Sequence, residues 1–182
     1  MIVTERLLLR PFRSEDLAAF VTYRRSPEVA RYQSWDTTYS AADAELFLAS
    51  QQDVELGQPG EWVQLAAVDR KSGELCGDCA VRVSADHPAT AELGVTLAPE
   101  HQGRGLAGEA LAAVIDRLFQ EHDIHRIYAE TDERNLGVHR LFERLGFRCE
   151  ARLVEADWFK GEWTTLRVYA ILRREWMAQT TA

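Results

Sequence analysis

The sequence is poor in the features that mark secreted, membrane-spanning and nucleic-acid-binding proteins. Its 182 residues include three cysteines, too few for a disulfide framework. No apolar run approaches the roughly 18 residues that cross a bilayer, and no charged segment followed by an apolar one opens the chain. We therefore expect a cytoplasmic protein that does not associate with membranes.

Basic residues are also in the minority. Lys and Arg number 21 against 29 Asp and Glu, which gives a formal net charge of −8. Nonspecific binding to nucleic acid depends on basic contacts to phosphates, so a nucleic-acid partner is not expected. An acidic balance suits a cationic substrate such as an amine, and it equally suits ordinary solubility.

Two of the cysteines, Cys76 and Cys79, form a C-x-x-C pattern in a stretch that is typical of a strand. Residues three apart on a strand point to opposite faces of a sheet. A thioredoxin-type site would instead begin a helix, and a zinc site would need a second pair of ligands. We expect cysteines that pack in the core, and no metal site.

The pattern of apolar residues and turns predicts one α+β domain over residues 1–178, with a frayed end at 179–182. Strands are expected at about 5–13, 62–69, 74–83, 90–97, 126–131, 148–156 and 164–172. Helices are expected at about 14–25, 40–55, 106–119 and 135–146, with a helical turn at 27–31. Ser14, Ser40 and Asn135 are the expected N-caps.

A glycine-rich segment, His101–Gly108, connects a predicted strand to a predicted helix. Backbone N–H groups at such a helix start favour a phosphate, and glycines let the ligand approach the backbone. The segment matches neither Gly-x-Gly-x-x-Gly nor the P-loop pattern, which disfavours an NAD-binding fold and a nucleoside triphosphatase. An ordinary glycine-rich connection is the alternative.

Motifs along nearly the whole chain resemble those of one family. Gln102–Ala107 resembles the pyrophosphate-binding loop of the GNAT acetyltransferases, which use acetyl-coenzyme A. Thr4–Pro11 looks like the first strand of the ribosomal-protein-alanine (Rim-type) branch. Asn135 followed by Leu141–Phe147 is similar to the family's Asn-helix-Gly-Phe segment, and the strand at Trp163–Tyr169 also fits.

The resemblance implies a GNAT fold, with a mixed, mostly antiparallel sheet of about six to seven strands flanked by helices. It implies acetyl-CoA as cosubstrate, with no metal. The residues that it assigns to coenzyme binding lie in the strand before the loop, in the loop itself and at one helix start: Leu93, Val95, Leu97, Gln102, Gly103, Arg104, Gly105, Ala107, Gly108 and Asn135. A backbone N–H near Val95 or Leu97 would face the thioester oxygen.

Acetyl transfer to an amine calls for a base, because an alkylamine with a pKa near ~10 is mostly protonated at neutral pH. Glu92 is the expected base, since it is the only acid in 91–97 and matches an acidic residue of the family. A strand residue that faces solvent is the alternative. Asn135 is the second catalytic candidate, although helix capping alone would explain it.

The chain departs from the family where a proton donor is usual. Rim-type members often carry Ser three residues after the Asn, and many GNAT enzymes carry Tyr seven residues after it. This sequence has Val138 and Phe142 there. Water would then protonate the leaving thiolate, with His139 and Tyr169 as substitutes.

The acceptor is expected to be a primary amine, either a protein N-terminal α-amine or a small molecule. Aromatic and acidic residues in regions that line the family's acceptor pocket are Tyr32, Trp35, Glu92 and Trp158, which suit a cationic amine. Trp35 and Trp158 would otherwise cover the core edge. Without a cysteine in the predicted coenzyme strand or loop, direct transfer is expected rather than an acyl-enzyme. A non-catalytic acyl-CoA-binding module is the competing interpretation, and homodimers are common in the family.

Overall fold

The computed structural model describes residues 1–180 and contains one sheet with helices on both faces. The strands are β1 Ile2–Val3, β2 Leu7–Pro11, β3 Trp62–Asp69, β4 Leu75–Val83, β5 Thr90–Leu97, β6 Arg126–Asp132, β7 Arg148–Phe159 and β8 Glu162–Leu172. The helices are α1 Leu17–Arg24, α2 Pro27–Ala30, α3 Ala41–Ser50, α4 Leu106–Glu121, α5 Leu136–Arg144 and α6 Arg173–Thr180.

The sheet has the order β1-β2-β3-β4-β5-β6-β8-β7, and every neighbouring pair is antiparallel except β5 and β6. The predicted α+β class with a mixed, mostly antiparallel sheet is confirmed. The eight strands exceed the expected six to seven because a turn, in which Thr4 N–H donates to Leu7 O, separates β1 from β2.

Two apolar layers hold the helices on the sheet. On one face, α4 buries Leu111, Ile115 and Phe119 against β2 to β6. On the other face, a second cluster that includes Phe20 and Tyr23 packs the three helices α1, α2 and α3 against the sheet. A helix on each face leaves only the edges of the sheet and the ends of its strands open to a ligand.

The predicted N-caps of α5 and α3 are confirmed. Asn135 caps α5, with its side chain accepting a hydrogen bond from Val138 N–H. Gly146 follows α5 with φ +81°, and Phe147 N–H donates to Phe142 O, as in a Schellman-type ending. Ser40 caps α3 reciprocally with Asp43.

Other boundaries differ from the expectation. Ser14 is not the cap of α1, because a 3-10 turn at Ser14–Asp16 precedes that helix and the Asp16 carboxylate accepts from Arg13 N–H. The third helix ends at Ser50 rather than near residue 55. Helix α6 was not predicted, and it includes residues 179 and 180 of the expected frayed end; residues 181 and 182 lie outside the described part.

The two cysteines of the C-x-x-C pattern lie on the same face of β4, contrary to the expectation of opposite faces. Both are buried in the core layer under α4. Between them the pairing of β3 with β4 shifts by one residue near Gly77, and an irregularity of this kind reverses the alternation. Burial raises the pKa of both thiols, so they are protonated packing residues.

Over residues 1–180, no helix is long and apolar enough to cross a membrane. Within that range no three His, Cys, Asp or Glu side chains are grouped as metal ligands would be.

Candidate active site

A cavity of about 580 Å³ opens where β5 and β6 separate. These two strands are registered only from Thr90 opposite Arg126 to Glu92 opposite Tyr128. Beyond that point the end of β5 borders the cavity together with the glycine loop, the first turn of α4, α5 and α2. The volume is in the range of sites for organic ligands of coenzyme size.

Backbone groups of β5 face this gap. Thr90 O accepts from Ser84 N–H of the β4 side, whereas Ala89 O accepts from Arg126 N–H of β6. Because the direction of backbone groups alternates along a strand, those of Val95 and Leu97 face away from β4 and toward the gap. The side-chain amide of Gln102 reaches back to one of them and donates to Leu97 O at 3.0 Å.

The glycine loop has a backbone that requires glycine. Gly103 and Gly105 have φ of +70° and +78°, in the left-handed region. Gly105 is the residue before α4 and has no side chain to cap it, so the N–H groups of its first turn stay available to a ligand. Such a helix start favours a phosphate, and Arg144 lines the same cavity.

The predicted coenzyme residues divide into two groups. Those that line the cavity are Val95, Leu97, Gln102, Gly103, Gly105, Ala107, Gly108 and Asn135. Leu93 is buried in the core layer under α4, and the side chain of Arg104 lies beside His101. Their roles toward the coenzyme stay predictions.

The positions where the family often carries a proton donor differ in environment. Val138 lines the cavity, whereas Phe142 is buried against Phe147 and Tyr169. His139 is buried and lies 3.1 Å from Asp132 O, and burial lowers its pKa. Both His139 and Tyr169 are buried side chains that do not line the cavity.

Glu92 is held in place by two neighbours on its face of the sheet. Its carboxylate is 2.6 Å from Arg82 of β4 and accepts a 3.3 Å hydrogen bond from Tyr128 of β6. This face is the one that carries α1 to α3, because the neighbouring Leu93 belongs to the opposite core layer. The Glu92 carboxylate is therefore already engaged by Arg82 and Tyr128.

A second carboxylate, Glu130, was missed by sequence reasoning. It lies two residues beyond Tyr128 on β6, on the same face and past the last registered pair with β5. No hydrogen bond or ion pair joins its side chain to another residue within 1–180, and partial burial with the charge of Glu92 raises its pKa. The alternation of side chains along β6 places Glu130 on the same face as Tyr128. That alternation does not reveal which strand lies beside β6, so it cannot show that Glu130 is close to Glu92.

The three predicted aromatic residues of the acceptor side lie in different places. Tyr32 lines the cavity, and its hydroxyl donates to Arg134 O at 3.3 Å. Trp35 packs 3.7 Å from the Arg24 guanidinium and does not line the cavity. Trp158 is 59% exposed on β7, which extends beyond the predicted end of that strand near residue 156.

The sequence is similar to those of known proteins. Residues 6–148 match the model of the family described as "Acetyltransferase (GNAT) domain". The chain belongs to the GNAT acetyltransferase family. It is 27% identical to the uncharacterized N-acetyltransferase p20 of Bacillus licheniformis, over 96% of this chain and 97% of that protein.

Two further relatives extend this result. A GNAT-family acetyltransferase from Bacillus anthracis has a solved structure that superposes with a TM-score of 0.84 at 26% identity, over 96% of this chain and 99% of that one. The spermidine N(1)-acetyltransferase of Vibrio cholerae is 31% identical over 48% of this chain and 51% of its own length. The Rim-type branch stays a prediction.

This acetyltransferase is therefore an enzyme, with acetyl-CoA as its cosubstrate. The non-catalytic acyl-CoA-binding interpretation is not retained. The glycine loop with its open helix start and the cationic Arg144 suit the phosphates of that cosubstrate.

Proposed function

We propose that this enzyme transfers an acetyl group from acetyl-CoA to a primary amine of a small cationic molecule, such as a diamine or polyamine. The observations that carry the proposal are the hydrogen bonds from the β7–β8 hairpin to the segment around α2, which borders the cavity, and the carboxylate of Glu28 in the cavity lining. A protein N-terminus, the other candidate acceptor, would need an open groove for the chain that follows the amine.

The hairpin is tied to the segment after α1 by its own polar groups. Lys160, between β7 and β8, donates to Ala30 O and to Trp35 O, both at 2.6 Å. Glu162 accepts from Arg134 at 2.6 Å, next to Asn135. These contacts favour a closed acceptor end, because separating the hairpin from α2 would break both Lys160 hydrogen bonds.

Three carboxylates, Glu28, Glu130 and Asp157, have no cationic partner within residues 1–180. Glu28 of α2 lines the cavity, and the charge of Asp157 is close enough to Glu130 to help raise the pKa of Glu130. Unpaired carboxylates at the closed end of a cavity attract a cationic ligand. The likeness to a spermidine acetyltransferase supports the same acceptor class.

The cosubstrate supplies the acetyl group as a thioester, and this chain positions the amine and removes its proton. Glu130, with its raised pKa and free carboxylate, is the proposed base, and Glu92 keeps that pKa raised through its charge. Tyr32 is the proposed proton donor to the leaving thiolate, because it is the only phenol that lines the cavity in the part of the chain described.

The experiment is a thiol-release assay with acetyl-CoA and a panel of acceptors at equal concentration. The panel contains diamines and polyamines, a monoamine of matched length, and peptides that begin with alanine or serine. We expect kcat/KM to be at least tenfold higher for the di- and polyamines. A higher kcat/KM for the peptides would overturn the proposed acceptor class while leaving the acetyltransferase assignment intact.

A further inference from the structure

The carboxylate of Glu109 lies in a part of the coenzyme site where a positive charge is expected. Glu109 is the fourth residue of α4, and it lines the cavity beside the glycine loop. An ionised side chain there would repel a phosphate bound at the same helix start, because the two negative charges would be only a few ångströms apart. A phosphate can therefore bind here only if a nearby cation neutralises the charge of Glu109.

The turn between β1 and β2 supplies three donors to this carboxylate. The Thr4 hydroxyl donates at 2.5 Å, the Arg6 backbone N–H at 2.7 Å and Arg6 Nε at 2.6 Å. Although partial burial acts in the opposite direction, these hydrogen bonds lower the pKa of Glu109 below its usual value. Glu109 therefore stays ionised and is neutralised by Arg6.

The rest of the Arg6 guanidinium is directed at the glycine loop. Its Nη1 donates to Arg104 O at 2.8 Å, and its Nη2 lies 3.6 Å from the point that a Cβ on Gly105 would occupy. Nη2 has no hydrogen-bond partner among residues 1–180, and the side chain is 44% exposed. The Arg6 guanidinium thus lies at the open side of the glycine loop, and the N–H groups of its Nη2 are available to a ligand.

We propose that Arg6 binds a phosphate of the coenzyme through Nη2, and that Glu109 and Thr4 are positioning residues that fix the guanidinium for this contact. The inference rests on the coenzyme site proposed above, and it extends that site to a segment about 100 residues away in the sequence. Thr4 and Glu109 act only through Arg6 and do not touch the ligand.

Only arginine suits this position. A guanidinium offers five N–H donors in a fixed plane, so it can hold Glu109, the Arg104 carbonyl and a phosphate at once. A lysine would place one compact charge near Glu109 and leave the other two acceptors without a donor. We therefore expect Arg6→Lys to behave almost as Arg6→Met does.

The test is calorimetric titration of the full-length protein with CoA and with pantetheine, which carries no phosphate. Arg6→Met and Arg6→Lys should weaken CoA binding by about 10- to 100-fold, as expected for loss of a hydrogen bond between charged groups. Pantetheine binding should stay within about twofold. Arg117→Met, which removes a cation from the exposed end of α4, is the matched control and should bind CoA as the wild type does.

A double variant distinguishes direct binding of the phosphate by Arg6 from mere neutralisation of the Glu109 charge. If Arg6 only neutralised Glu109, Arg6→Met combined with Glu109→Gln would bind CoA as tightly as the wild type, and that result would overturn the proposal. We expect the double variant to stay at least tenfold weaker, with a shallower dependence on salt than the wild type shows.

Failure of the site itself would look different. If the wild type did not bind CoA, or if Gly105→Glu bound it unchanged, the proposed coenzyme site would be wrong. If Gly105→Glu lost CoA binding while both Arg6 variants kept wild-type affinity, only the role of Arg6 would be rejected.

Discussion

Arg82 and Glu92 face each other across β4 and β5, and their side chains form an ion pair of 2.6 Å. The pair occupies the carboxylate that the sequence favours as the base. Glu130, on the neighbouring strand and free of any such partner within residues 1–180, is the base that we propose. This division of roles between two carboxylates has consequences that kinetics can measure.

Glu130→Gln should lower kcat for acetyl transfer by about 10²- to 10³-fold, because general-base catalysis contributes this much when the substrate amine is protonated. Affinity for CoA should not change. The measurement is steady-state thiol release together with CoA titration. Activity within threefold of the wild type would reject Glu130 as the base.

Glu92→Gln should keep most of the activity and change its dependence on pH. Partial burial and the charge of Glu92 raise the pKa of Glu130, whereas Arg82 acts in the opposite direction. Removing the Glu92 charge therefore lowers that pKa, and the fall of kcat/KM on the acid side should move to lower pH. Glu121→Gln, on the exposed end of α4, is the control; an acid limb that moved upward would contradict the assignment.

Lys160→Met should weaken acceptor binding without affecting the coenzyme. The variant loses both hydrogen bonds from the β7–β8 hairpin to the segment after α1. We expect KM for the amine to rise about tenfold while the Kd for CoA stays unchanged. Lys71→Met removes the other lysine of the chain and should leave both constants unaltered. Equal effects of the two variants would show that net charge, rather than closure, governs KM.

Gly77→Ala should destabilise the fold. A Cβ at Gly77 would lie 2.1 Å from Thr96 O and 2.8 Å from Leu97 Cα, and backbone atoms in a central sheet do not yield easily. We expect the free energy of unfolding to fall by about 3 kcal/mol in urea denaturation. At Gly94, where a Cβ would meet only Ala80 Cβ at 3.6 Å, alanine should cost less than about 1 kcal/mol.

The sequence predicted best what is decided by neighbours along the chain. Asn135 and Gly146 bracket α5 because capping and left-handed termination depend on local backbone geometry. The irregularity near Gly77 was missed because it depends on the pairing of β4 with β3. Without it, Cys76 and Cys79 were assigned to opposite faces.

In the candidate site, too, the sequence predicted the features that depend on neighbouring residues in the chain. The loop around Gly105 has a local signature, so its place at the cavity follows from sequence. Glu130 and Arg6 were not found, because each gains its significance from a partner far along the chain. Glu92 is 38 residues from Glu130, and Glu109 is 103 residues from Arg6. Only the tertiary structure brings these charges together.

The most direct test of the account is calorimetric titration of CoA into the wild type, Gly105→Glu and Gly161→Glu. Both glycines have a positive φ, +78° and +86°, so the two variants suffer similar backbone strain, but only Gly105 lies in the proposed phosphate site. We predict micromolar binding to the wild type and to Gly161→Glu, and none to a folded Gly105→Glu. Equal affinity of all three proteins would contradict the coenzyme site proposed for this cavity.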